Sequence, residues 1–177
     1  AGEQLAPGYR AHHPMGQVPL LKIEGHAPLS QSMAIIEYLE ECYPQAPLLP
    51  EEPHQKAQAR ALAEVINSSI QPLQNLSVLK RISMLDANPQ NWARSVIGDG
   101  LDALEAMVAG RPGPFLMGPQ LTVPDLFLVP QLYNARRFGC DTARWPRLTA
   151  SEAAVLAQPH LRTTHPNEQH DADAQAA

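Results

Sequence analysis

No apolar run in this sequence approaches the ~20 residues of a membrane-spanning helix, so a bundle of such helices is excluded. Cysteine is scarce. The 2 present, Cys42 and Cys140, form neither a disulfide framework nor a metal-ligand spacing. No basic neighbour marks either as a reactive thiolate. That usage fits a reducing compartment, and a cytoplasmic protein is expected. Positive charge is also short: 13 Lys and Arg against 18 Asp and Glu give a formal net charge of −5. That balance argues against a general binder of nucleic acid or of anionic membranes. The 7 histidines show no metal or triad spacing, so no metal is expected, and His12-His13 reads as surface. Internal repeats are absent. Ala1-Gly2-Glu3-Gln4-Leu5 is neither a signal nor a transit peptide, and without a Met it suggests a processed or truncated start.

Proline, in contrast, is abundant at 18 residues, and its placement organises the chain. Gly16-Gln17-Val18-Pro19-Leu20-Leu21-Lys22-Ile23 reads as a strand that a proline opens, because proline has no N–H to give a ladder. Glu24-Gly25 is its hairpin turn, and Pro28 makes the returning strand an edge or ends it. An X-Pro bond is where a cis peptide costs least, and Val18-Pro19 is expected to be cis, with the Val18 peptide groups facing outward. Gln31-Ser32 open an amphipathic helix that Pro44 stops. The first turn of a helix has unpaired N–H groups at its positive end, which receive a carboxylate. An edge that can pair with a peptide, next to a helix start that can hold an anion, suggests a small acidic peptide as ligand.

Pro44, Pro47, Pro50 and Pro53 make a stiff connector over 44–53. Beyond it every pattern is helical. His54 to Ser83 carries Leu62, Val65, Ile66, Ile70, Leu73, Leu76 and Leu79, with a kink or break expected at Pro72. Asn91 to Ala109 places Trp92, Val96, Ile97, Leu101, Leu104 and Val108 on one face. Gly98 and Gly100 weaken that helix, so packing must support it. Thr122-Val123-Pro124-Asp125 has the form of a capping box with Asp for Glu, and Thr122 and Asp125 are assigned to structure. A last helix runs from Trp145-Pro146 to about Ala157. The polar stretch 165–177 is expected to be a disordered tail.

Three segments together resemble the glutathione transferase superfamily. Gln17-Val18-Pro19, followed by Gln31-Ser32-Met33-Ala34-Ile35-Ile36-Glu37-Tyr38-Leu39, resembles its glutathione site. Ile70-Gln71-Pro72-Leu73-Gln74-Asn75-Leu76-Ser77-Val78-Leu79 and Leu121-Thr122-Val123-Pro124-Asp125-Leu126-Phe127-Leu128-Val129-Pro130-Gln131 resemble the zeta class, the maleylacetoacetate isomerases. The resemblance implies an α+β two-domain fold. An incomplete thioredoxin-like domain would occupy 1–43, and an all-α domain 54–164. It also implies that the first βα unit of the family, with its serine-rich motif, lies before Ala1. Catalytic residues are therefore expected upstream, none in this chain.

By resemblance Val18, Gln31 and Ser32 bind glutathione, and Gln4 reaches its glycine end. Gln71, Asn75, Leu76 and Ser77 line the cleft and contact glutathione or substrate. The alternative for these amides is that they satisfy carbonyls freed by Pro72. Arg137 is the candidate for a substrate carboxylate, which Arg binds bidentately. Its alternative role is to complement the helix dipole. Arg136 stands where the family often has an acid, and either arginine could face the cleft.

The implied activity is glutathione-dependent isomerisation of maleylacetoacetate to fumarylacetoacetate in aromatic amino-acid catabolism, by a homodimer. Little activity is expected of these residues alone, because ionising a thiol at neutral pH needs a nearby donor. Maleylpyruvate isomerisation and transfer or dehalogenation of small halo acids are alternatives. A non-catalytic binding or dimerisation protein of the same fold is another.

Overall fold

The computed structural model describes residues 2–164 and 166–169. The chain forms two compact units, Ala1–Pro47 and Leu48–Ala177.

The first unit opens with a 3-10 turn, Glu3–Leu5, and a short helix α1, Pro7–Arg10. A two-stranded antiparallel hairpin follows, β1 Leu20–Leu21 with β2 Leu29–Ser30. The turn expected at Glu24-Gly25 is present, with Gly25 at φ 75. Helix α2, Ser32–Cys42, closes the unit. Tyr9 ties the opening segment to the hairpin: its hydroxyl donates to the Gln17 carbonyl at 2.6 Å. His13, expected at the surface, is buried instead. It stacks on the Tyr9 ring at 6.4 Å, because the α1 turn folds it back under that ring.

The second unit is helical. Helix α3, Pro53–Glu64, starts at Glu52, whose carboxylate accepts the N–H groups of His54 and Gln55. Those two donors hold the Glu52 carboxyl below its ordinary range. A π-helical turn, Val65–Ile70, leads into α4, Gln71–Gln74. Proline lacks an N–H and clashes with the carbonyl four residues back. The wider π turn takes up that conflict just before Pro72, and the helix breaks only at Asn75, φ −61 and ψ 143. Helix α5, Leu76–Ser83, then restarts under an Asn75 cap. The apolar stripe does not run through this region as expected. Ile66, Ile70 and Leu79 are buried, while Leu73 and Leu76 are exposed, and Gln74 takes the inward position after Ile70.

Helix α6, Pro89–Val108, buries Ala93, Ile97, Leu101, Leu104 and Val108. Trp92 lies off that face and is 39% exposed, its Nε1 donating to the Leu73 carbonyl. Gly100 seats Ile70: a Cβ there would lie 2.4 Å from the Ile70 side chain.

Helix α7, Val123–Arg137, starts at the expected capping box and runs through Pro130. Asp125 does more than cap. It is fully buried and accepts the Thr122 N–H and hydroxyl, the Leu116 N–H and the Ser151 hydroxyl. Helix α8, Pro146–Leu156, and a short α9, Pro159–Arg162, complete the unit. Residues 44–52 of the proline-rich stretch carry no regular element, Pro53 opens α3, and from Leu48 the stretch belongs to this unit, where the Val123 N–H donates to the Leu48 carbonyl. The tail expected at 165–177 falls mostly outside the described residues; within it, Pro166–Glu168 form a 3-10 turn.

Candidate functional site

The sequence candidates divide between the two units. In the first, the Val18-Pro19 peptide is cis, as expected, and Val18 is 71% exposed. Leu20 pairs with Ser30 and Leu21 with Leu29. Carried outward by two residues, that register sets Val18 and Ser32 at the same end of the hairpin. Gln4 belongs to the segment laid on Gly16, where a Cβ would meet the Gln4 carbonyl at 2.9 Å. Gly16, at φ 62, thus leaves room for the Gln4 backbone beside the start of the hairpin segment.

Gln31 carries the plainest signal of function in this unit. Its φ of 74 is a region that non-glycine residues rarely hold, and such strain persists where something beyond local packing fixes it. Gln31 leads directly into α2, and no side chain caps that helix. The first intrahelical bond there is donated by the Ile35 N–H to the Gln31 carbonyl, so the amides of Ser32, Met33 and Ala34 point out of the helix end. Ser32 is the first residue inside the helix and half-buried. An exposed strand edge and an uncapped eleven-residue helix, at one end of a hairpin, suit a peptide that ends in a carboxylate.

In the second unit Gln71 is half-buried on α4, while Asn75, Leu76 and Ser77 are exposed at the α4–α5 break. Asn75 and Ser77 have a structural task. Asn75 Oδ1 accepts the Ser77 N–H at 3.0 Å and the Ser77 hydroxyl at 2.9 Å. That cap leaves the Asn75 amide nitrogen and the exposed Leu76 at the surface. Arg137 ends α7 with its guanidinium carbon 6.0 Å from the Tyr133 ring centroid, a cation–π contact. Arg136 has a separate occupation: it forms a two-point ion pair with Glu152 of α8. Glu152 also holds the Arg136 guanidinium further above its ordinary pKa.

Two functional candidates had no place in the sequence reading. Gln74 and Gln131 are buried and exchange two hydrogen bonds, at 3.0 and 3.1 Å. The signal was available: each amide sits where a helical period asks for an apolar residue, Gln74 after Ile66 and Ile70, and Gln131 between Leu128 and Ala135. An apolar pocket of about 270 Å³ lies between α7 and α8, with Leu126, Val129, Tyr133 and Val155 in its wall. Cys140 is half-buried and burial pushes its thiol pKa up, while Cys42 is exposed. Among the described residues no group of three or more His, Cys, Asp or Glu side chains could hold a metal ion, and no helix is long and apolar enough to cross a membrane.

Residues 1–42 match the N-terminal domain family of the glutathione S-transferases. A probable maleylacetoacetate isomerase 2 of Drosophila melanogaster is 41% identical, over 96% of this chain and 74% of its own length. The maleylacetoacetate isomerase of Mus musculus is 40% identical, over 98% of this chain and 79% of its own. Among solved structures, the holo form of a bacterial maleylpyruvate isomerase, a zeta-class glutathione transferase, superposes with a TM-score of 0.89 at 34% identity, covering 96% of this chain and 82% of that one. The maleylacetoacetate isomerase of Methylobacterium extorquens AM1, with bound malonate and glutathione, superposes at 0.90 with 33% identity, covering 97% and 83%. The two-domain α+β architecture, a small sheet followed by an all-helical part, is that of these structures.

Proposed function

This chain belongs to the zeta class of the glutathione S-transferases, the class of the maleylacetoacetate isomerases, and from that premise we propose that it serves the glutathione-dependent isomerisation of maleylacetoacetate to fumarylacetoacetate as the part that binds and orients glutathione and substrate. The observation that carries the reading is Gln31, held at φ 74 at the mouth of an uncapped helix. Its backbone is spent on presenting that helix end rather than on a relaxed turn.

The residues fit glutathione. Val18 would offer its peptide groups to the tripeptide backbone, and Gln31 and Ser32 would hold its γ-glutamyl carboxylate. Gln4 would reach the glycine end. Gln71, Asn75, Leu76 and Ser77 would contact glutathione or substrate. Bound glutathione would supply the thiol that adds to the cis double bond, allows rotation about it and then leaves unchanged. Arg137 would hold a carboxylate of the substrate and set the double bond in place. We assign all these residues to binding and orientation.

Residues 1–43 would form the glutathione-binding domain, 44–53 the connector and 54–164 the all-α domain. A cytoplasmic homodimer fits the apolar side chains that the second unit exposes, Leu73, Leu76, Met84 and Leu85; sedimentation as a monomer at micromolar concentration would remove the dimer. Maleylpyruvate is the second substrate to try, given the TM-score of 0.89 to an isomerase of that acid. The test is proton NMR of each cis acid with the protein, with and without glutathione. Trans product at equal rates in both samples would sink the reading.

A further inference from the structure

Gln74 and Gln131 lie 57 residues apart, and each carboxamide donates one hydrogen bond to the other and accepts one from it. The pair sits where both helices are backbone-poor. On one side α4 is only four residues long, follows a π turn, and ends at Asn75, whose ψ of 143 leaves the helix. On the other side Gln131 follows Pro130, which has no N–H to give the Leu126 carbonyl, so the ladder of α7 lacks a rung there. Apolar side chains of similar volume would fill this space in several registers. Two amides paired through one donor and one acceptor each favour one, because any slip leaves those buried groups without partners.

We propose that the Gln74–Gln131 pair is a positioning device that fixes the α4–α5 break against α7, and so holds Asn75, Leu76 and Ser77 in a set relation to Arg137. Asn75 is the residue immediately after the pair on one side. Arg137 follows six residues on the other, about 9 Å along a helix of regular rise. The assignment of those four residues to ligand contact rests on the proposed function; the bracing itself does not.

The test uses Gln74→Leu, Gln131→Leu and the double variant of the full chain. Each single variant leaves a buried amide unpaired and should melt lower. The double variant should recover most of that loss, since both partners become apolar. Positioning predicts that recovery of melting temperature does not restore the site. In the double variant, amide exchange at Ser77 and Val78 should speed up about tenfold or more, while exchange in α6 stays as in the wild type. KM for the dicarboxylate should rise about tenfold, with a smaller change in kcat.

Wild-type exchange at Ser77 together with wild-type kinetics in a restored double variant would reduce the pair to core filling. Should the double variant fail to fold, the single variants decide by the same exchange measurement. A rise confined to the α4–α5 break supports the device, and a uniform rise across the helical unit overturns it. A wild-type chain without glutathione-dependent isomerisation would refute the proposed function, while the exchange data would still decide the bracing.

Discussion

Glu152 on α8 takes Arg136 with both carboxylate oxygens, so of the two adjacent arginines at the end of α7 one already has a carboxylate partner. Glu152 is nearly buried, so its charge needs that partner. Arg137 stacks on Tyr133, and among the described residues it has no carboxylate partner. Of these two arginines, Arg137 is therefore the one proposed to bind a substrate carboxylate. Arg137→Gln should raise KM for the dicarboxylate at least tenfold, the worth of a hydrogen bond to a charged group, about 1.5–3 kcal/mol. Arg136→Gln should leave KM nearly unchanged and lower the melting temperature. Steady-state kinetics beside a thermal melt separates the two, and a larger KM effect at Arg136 would reverse the assignment.

Gln31 and Ser32 should respond in opposite senses. Gln31→Gly relieves a strained φ, and stability should rise by about 1 kcal/mol, while glutathione binds more weakly. Ser32→Ala should weaken glutathione by about 1 kcal/mol with little change in melting, because no Ser32 side-chain cap is present to lose. Calorimetric titration with glutathione checks both. Unchanged affinity in both variants would remove this helix end from the site.

Asp125 is a test of stability alone. Its carboxylate gathers four donors from the α7 start, from Leu116 and from α8. Asp125→Ala strands buried groups at all three places and should cost about 3 kcal/mol or more. Urea unfolding measures it; a loss under 1 kcal/mol would mean that water replaces the carboxylate.

The hairpin, its turn, α2, the capping box and the helical second unit were legible because each has a local cause. A proline opens a strand, Glu-Gly turns it, and Thr-x-x-Asp starts a helix. The sequence reading lost accuracy where the cause is distant. Pro72 implies a disrupted helix but not its form, since a π turn and a delayed break depend on what Ile70 and Gln74 pack against. Once the break reset the helical phase, Leu73 and Leu76 left the apolar stripe. His13 looked solvated because its neighbours are polar, and only the fold of α1 puts Tyr9 over it. Among the candidate site residues, Val18, Gln31 and Ser32 are readable as motifs. The strain at Gln31 and the ion pair that occupies Arg136 needed coordinates, because backbone dihedrals and a partner sixteen residues away leave no local pattern.

Gly100 in α6 joins these two kinds of cause. By propensity alone Gly100→Ala should stabilise a helix interior by about 1 kcal/mol. The structure argues for the opposite sign. A Cβ at position 100 would fall 2.4 and 2.5 Å from two atoms of Ile70. Ile70 is fully buried in the π turn, so it has no free space into which to retreat. Overpacking of this kind costs about 1–3 kcal/mol, which meets or exceeds the propensity gain. Gly100→Ala should therefore be destabilising by about 1 kcal/mol once the two effects are summed. Ile70→Ala alone should cost about 2–5 kcal/mol through the cavity it leaves. The double variant Ile70→Ala/Gly100→Ala should be more stable than the sum of the single effects, because the new methyl then occupies vacated space. Denaturant unfolding of the four proteins gives the coupling. A stabilising Gly100→Ala, or strict additivity in the cycle, would show that α6 and the π turn are not held together at this contact.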